Sequence, residues 1–251
     1  MDGWSAMSWA AHELENFYFL KHIGRRVSYL GLLVGALAPD FLTKLYTYGL
    51  SIGGAHLKAE NPAQFHRGWP GLGFTTSLMA GVIFAGLIYL ISKRNKAWFF
   101  GVLVGYWAHT ITDSFDSVGV LMFWPFYNGN ISLGVWAYGA GEGKFGDTIA
   151  YYSSLGFVVD VTWLLIVVLF AWRVLSSEYF RIVVRPTDPA WGWLERKFTL
   201  PERAWLAFYR AFFFYGACRI ISWSIWVHLV KGAPWDLSWG GPHWVAPFEP
   251  W

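Results

Sequence analysis

Residues 72–91 read LGFTTSLMAGVIFAGLIYLI, twenty positions without a charge, and the cluster Lys93-Arg94-Asn95-Lys96 closes the run. At ~1.5 Å per helical residue such a stretch is about 30 Å long, the thickness of a bilayer's hydrocarbon core. The uncharged stretch reaches back to Gly68. This is the clearest membrane span in the chain, and the rest is read outward from it.

Downstream, Ala97–Thr112 forms a second apolar run that ends on His109 and Asp113. A third, Thr148–Trp172, is interrupted only by Asp160 and stops at Arg173, and a fourth, Ala204–Val230, carries Arg210, Arg219 and His228. Toward the N-terminus, Ser28–Pro39 predicts a short apolar helix stopped by Pro39-Asp40. Trp4–His22 has helical character but holds Glu13 and Glu15, so it is expected to be partly embedded. Pro125, Asn128, Gly129 and Asn130 break the uncharged stretch Ser117–Gly141, which reads as a buried or re-entrant loop. The fold expected is an all-α integral membrane protein, a bundle of about 4–6 transmembrane or partly embedded helices. Residues 1–251 make a single membrane domain, with a helical half at 1–126 and two further spans plus a Trp-rich tail at 127–251.

Composition supports that class and removes others. The 251 residues are 55% hydrophobic and 21% aromatic, with 14% charged, against about 25% charged in soluble domains. Disorder requires few aromatics and many charges, so it is excluded. The single cysteine, Cys218, makes neither an internal disulfide nor a thiolate zinc site, which leaves His, Asp and Glu to hold any metal. A net charge of +3 without a concentrated patch argues against nucleic acid as a partner. If Lys93–Lys96 is cytoplasmic, alternation puts Lys21–Arg26 and Arg173–Arg203 on the same side, and twelve of the nineteen Lys and Arg residues collect there. Lys44, Lys58, Arg67, Lys144 and Lys231 stay outside, as the positive-inside rule expects. The tail from Lys231, with four tryptophans and four prolines, reads as an aromatic interfacial cover.

Ionisable groups inside a membrane each cost on the order of 3 kcal/mol, so each calls for a partner or a function. His109 and Asp113 are four residues apart and share a helix face, which Asp116 extends. Imidazole plus carboxylate at that spacing is half of a metal site or a hydrogen-bonded structural pair. Counting from the basic turns, Asp40 lies about 21 Å and His109 about 20 Å above the cytoplasmic boundary, and His12 about 14 Å. His66 and Arg67 precede the first span on the outer side, with His56 in the same loop. Asp40 is either a ligand or the end of a helix at Pro39, and His12 either a ligand or part of an exposed polar face. Asp160 and Arg219, both roughly 20–24 Å up, are expected to form a structural ion pair between the last two spans. Arg210 is shallow enough to reach the cytoplasmic interface, and Gly101 and Gly105 permit close helix contact beside His109.

The stretch Gly105-Tyr-Trp-Ala-His109-Thr-Ile-Thr-Asp113, continuing through Gly119-Val-Leu-Met-Phe-Trp124-Pro125, resembles the membrane-bound, LexA-regulated type of metal-dependent hydrolase of bacterial inner membranes. The early His12, the Ala36-Leu37-Ala38-Pro39-Asp40 element and His66-Arg67-Gly68 before Thr75-Thr76-Ser77 follow the same order over about residues 5–126. The resemblance implies a metal site built from His12, Asp40, His109 and Asp113. Its ligand order is similar to that of zinc-dependent phospholipase C, which implies hydrolysis of a phosphoester or lipid-linked substrate. Three departures stand out. Thr76 occupies the place of a family histidine, Leu42 that of a second aspartate, and Trp69–Gly73 are inserted. His66 or His56 is available to fill the missing position.

Two functions are carried forward. The first is a membrane-embedded hydrolase whose divalent metal, zinc by first choice, sits in the outer half of the bilayer on His12, Asp40, His66, His109 and Asp113. Asp116 would orient His109 or act as base, and Arg67 would hold a phosphate. The second is a catalytically silent accessory subunit that keeps the fold and uses its eighteen tryptophans against other membrane subunits, lipid or a bound pigment or quinone. The plain alternative for those tryptophans is an interfacial belt. A transporter is disfavoured by the absence of an internal repeat.

Overall fold

The computed structural model describes residues 10–48, 50–52, 55–57, 74–136 and 145–245. Its principal helices are α1 (Ala10–Ile23), α2 (Tyr29–Tyr48), α3 (Leu78–Ile91), α4 (Lys96–Asp113), α5 (Gly146–Tyr152), α6 (Leu155–Val174), α7 (Pro189–Lys197) and α8 (Glu202–Ile225). Helical turns at Ser177–Tyr179, Phe180–Val184 and Arg185–Thr187 join α6 to α7, and a π-helical turn, Trp226–Val230, prolongs α8. Two antiparallel ribbons complete the described residues: β1 (Leu50–Ile52) with β2 (Ala55–Leu57), and β3 (Asn130–Ser132) with β4 (His243–Val245).

The all-α class expected from the sequence holds. Among the described residues, α6 and the continuous Glu202–Val230 unit are long and apolar enough to cross a membrane, while Tyr29–Thr43 and α3 are shorter apolar helices. Much of their hydrophobic surface faces outward: Leu169 is 79% exposed, Trp172 79% and Leu229 80%. A soluble monomer rarely leaves so much apolar surface in contact with water, whereas lipid covers it without cost.

Helix α1 sits at the centre, packed against α2, α4, α6 and α8. Its C-terminal half contributes Phe17 and Leu20 to the main core, where Phe17 meets Tyr29, Tyr209 and Phe213. Its N-terminal turn is polar yet equally enclosed, with His12, Glu13, Glu15 and Asn16 all buried. Of the two alternatives for His12, the exposed polar face is therefore set aside. The acids that made α1 look peripheral point inward, each to a partner on another helix or to the site.

Two further boundaries differ from the sequence reading. Helix α2 runs through Pro39 instead of stopping there, so Asp40 lies within the helix, one turn beyond Ala36. Proline removes only one donor, the bond to the Gly35 carbonyl, which leaves the remaining helical ladder intact. The run Thr148–Trp172 is broken at Ser153-Ser154 into α5 and α6. There the Ser154 hydroxyl accepts from Gly156 N–H at 3.2 Å, and the Ser153 carbonyl accepts from Asp236 N–H at 2.8 Å. That break lets Tyr151 and Tyr152 fold back toward α6. The described part of the tail is anchored on the 117–136 loop: β4 pairs with β3, and the Trp239 indole donates to the Leu133 carbonyl at 2.7 Å.

At the opposite end of the bundle a buried carboxylate ties three elements together. Asp188 caps α7 through Ala190 N–H (3.1 Å) and accepts from the Ser28 hydroxyl (2.6 Å), Leu30 N–H (3.1 Å) and the Trp98 indole (2.9 Å). Burial pushes its carboxyl above the usual range, while these donors pull it back. Asp188→Ala orphans the donors from α2, α4 and α7 at once. We expect it to lower stability by about 3 kcal/mol, read as a fall in thermal midpoint in detergent, with Asp188→Asn losing less.

Candidate metal centre

The site begins with glycine. α2 and α4 form an extended helix pair in the described fold, and they cross with backbones in contact. A Cβ on Gly35 would strike the Val102 carbonyl, and one on Gly105 the Leu32 carbonyl. A Cβ on Gly101 would come within 2.7 Å of the Ser28 carbonyl. Close approach at Gly101 and Gly105 was expected from their spacing; Gly35 is the matching position on α2.

This crossing brings Ala36 and Asp40, one turn apart, against His109. The Ala36 carbonyl lies 2.6 Å from His109 Nδ1, and Asp40 Oδ1 lies 3.5 Å from Nε2. On α4 itself, Asp113 Oδ2 lies 3.2 Å from the same Nε2. From α1, His12 stacks on His109 with ring centroids 3.9 Å apart and planes 13° apart, and its Nε2 lies 3.8 Å from Asp113 Oδ1. The straight-helix depth arithmetic placed His12 about 6 Å short of this level, a gap that the packing of α1 against α4 closes. His12 and His109 are each 1% exposed, Asp113 2% and Asp40 6%.

His12, His109 and Asp113 offer ligand atoms that all lie within 4.8 Å of one another. Ligands at ~2.1 Å around a tetrahedral ion stand about 3.4 Å apart, and the separations of 3.2, 3.5 and 3.8 Å cluster about that value. Both nitrogens of His12, and Nε2 of His109, are buried without a hydrogen-bond partner. Buried polar atoms are almost always satisfied, so two imidazole Nε2 atoms with no well-formed hydrogen bond and carboxylates at 3.2–3.8 Å have the character of a ligand set. The Ala36 carbonyl, engaging Nδ1 of His109, holds Nε2 toward the carboxylates as an outer partner of a metal-binding histidine does.

Around this group lie further buried carboxylates. Glu15 accepts from the Thr112 hydroxyl at 2.8 Å and lies within electrostatic range of His109, Asp113 and Asp160. Glu13 pairs with Arg219 at 2.8 Å. Asp160 accepts from Ala11 N–H at 2.8 Å and from the Tyr151 and Tyr152 hydroxyls at 2.9 and 3.0 Å. The expected Asp160–Arg219 ion pair is thus corrected: both charges are buried at one level, but Glu13 takes the arginine and two tyrosines satisfy the aspartate. The reason is the central position of α1, which interposes its own acid between α6 and α8. Among the described residues, Arg219 is the guanidinium that enters this group, and Glu13 takes it.

Asp116 does not orient His109, whose Nδ1 is engaged by Ala36. Its carboxylate accepts from Val118 and Gly119 N–H at 3.0 and 2.7 Å and shapes the turn after α4. Thr76 is buried in the turn that leads into α3, packed against α2. Arg210 reaches the Leu175 carbonyl at 2.8 Å, capping the end of α6. His66 and Arg67 lie outside the described residues, as does the His56 side chain. Glu15, Glu13 and the two tyrosines escape a reading by depth. The spacing of His12, Glu15 and Asn16 within one helical turn was the available signal.

With this geometry in place, the chain's relationship can be stated. A helical architecture with two helices able to cross a membrane, and with buried imidazoles and carboxylates at helix crossings, defines an integral membrane protein with a candidate metal centre. The chain belongs to the YdjM inner membrane protein family, whose family model matches residues 5–182. This is the inner-membrane type that the motif order resembles, and it places the chain in the bacterial inner membrane. No curated protein matches the chain, and neither does any solved structure.

Gly105→Val drives a branched side chain into the Leu32 carbonyl and must part α2 from α4. We expect a loss of about 1–3 kcal/mol in stability, with separation of Asp40 from His109. Thermal melts in detergent report the loss, and a variant that melts as wild type refutes the contact.

Proposed function

We propose that this protein is a membrane-embedded, metal-dependent hydrolase acting on a phosphoester or lipid-linked substrate. The observation that carries the reading is the buried group His12, His109 and Asp113, whose ligand atoms lie within 4.8 Å of one another, with Asp40 3.5 Å from His109 Nε2. His12, His109, Asp113 and Asp40 hold the ion. Without a thiolate in the set, zinc at tetrahedral spacing suits it best. Such an ion supplies Lewis acidity, polarising the scissile group and acidifying a water. Ala36 keeps His109 in the tautomer that directs Nε2 inward, and Asp113 spans both imidazoles. Glu15, held by Thr112, is placed to accept a proton from the water. His66 and Arg67, on the loop before α3, remain candidates for an added ligand and for the substrate phosphate. The distribution of lysine and arginine supports a multi-pass topology with the site toward the periplasmic side.

Asp113→Asn is expected to reduce bound metal at least tenfold, measured by elemental mass spectrometry of protein purified without chelator. Wild-type protein that carries under a tenth of an equivalent of any divalent metal, before or after incubation with zinc, overturns the reading.

The second reading, a catalytically silent accessory subunit, is favoured by Thr76 in place of the family histidine and by exposed aromatics such as Trp172, Trp193 and Trp239. It requires a stable larger assembly in mild detergent. A monomeric mass by light scattering counts against it.

A further inference from the structure

At the end of the bundle opposite the metal centre, the turn between α1 and α2 and the start of α4 enclose a cavity of about 550 Å³. Ile23, Val27, Phe100 and Val104 make its walls apolar, and Arg25, Arg26 and Lys96 stand at its lining with no acidic residue among them. A smaller groove of about 300 Å³, lined by Tyr89 and Phe99, shares Lys96 and Phe100 with it. Two apolar channels therefore diverge from one cationic point.

The charges at this end are not equivalent. Arg185 pairs with Glu195 and Glu202, and Arg181 with Glu202. Asp188, the buried carboxylate beside the turn, is saturated by its own donors. Arg25 spends Nε on the Ile182 carbonyl at 3.0 Å, which fixes its guanidinium while leaving the terminal nitrogens. Arg26 and Lys96 face no acid among the described residues.

We infer that this cavity is a binding site for an anionic phospholipid, with the phosphodiester held by Arg26, Lys96 and the fixed Arg25, and the acyl chains lying in the grooves on either side of Phe100. The complementarity is specific in two respects. Uncompensated cations at headgroup level attract a net anionic lipid over a zwitterionic one, and hydrocarbon-lined channels accept chains that a free phosphate lacks. Lys96 lies 13 residues from His109 on one helix, about 20 Å away by helical rise, so the site is independent of the metal centre.

The test uses the full chain in dodecyl maltoside, with native mass spectrometry after addition of dioleoyl phosphatidylglycerol or dioleoyl phosphatidylcholine. The wild type is expected to retain phosphatidylglycerol at least tenfold better than phosphatidylcholine. Arg26→Gln with Lys96→Gln removes that preference, while Lys93→Gln with Arg94→Gln, in the neighbouring turn, leaves it within twofold. Ala97→Trp, which fills the cavity and keeps every charge, also abolishes retention, and it carries the test if the charge variant does not fold. Equal retention of the two lipids, equal loss in both charge variants, full retention in Ala97→Trp, or displacement by millimolar inorganic phosphate would each overturn the proposal.

Discussion

The backbone contact between α2 and α4 is the constraint on which the rest depends. Gly35 and Gly105 let each helix place a carbonyl where the other would otherwise carry a side chain. In a bilayer there is no hydrophobic gain in pushing two apolar helices together, because lipid is as apolar as leucine, so close packing of small residues must supply the attraction. Once the crossing is fixed, Ala36 and Asp40 fall on opposite nitrogens of one imidazole, and Asp113 follows one turn beyond His109. A metal-binding geometry then arises from the helix period alone.

The second requirement is the central position of α1. Enclosing His12, Glu13, Glu15 and Asn16 is costly unless each finds a partner. Two of the surrounding helices supply most of them: Thr112 and the stacking His109 ring from α4, and Arg219 from α8, while Asn16 donates to the His12 carbonyl of α1 itself. The apolar half of the same helix, through Phe17 and Leu20, anchors the aromatic core. One helix thus binds the bundle together and delivers His12 to the candidate ligand set. Stability and site cannot be separated in its first turn.

The two ends of the bundle have opposite electrostatic characters. Buried carboxylates gather around His109, whereas the α1–α2 turn and the start of α4 present unpaired cations beside apolar grooves. Asp188 keeps the second region rigid by joining α2, α4 and α7 without neutralising Arg26 or Lys96. An anionic lipid at the second end would compensate Arg26 and Lys96, which face no acid among the described residues.

The amino-acid sequence alone determined the class and most of the ligand list. Long uncharged runs ended by basic clusters identify membrane helices because charge is excluded from hydrocarbon, and the i,i+4 pair His109–Asp113 is visible because helical geometry is periodic. The Gly101–Gly105 spacing likewise announced a close contact. Tertiary structure decided everything that requires two distant segments to meet. Whether Pro39 ended α2 depended on packing against α4; which acid took Arg219 depended on α1 passing between α6 and α8. Glu15 and Glu13 looked like a solvated face, since a sequence records polarity but not which neighbours surround it. The partners that make a buried charge tolerable lie up to two hundred residues away, and only the folded chain brings them within hydrogen-bonding distance.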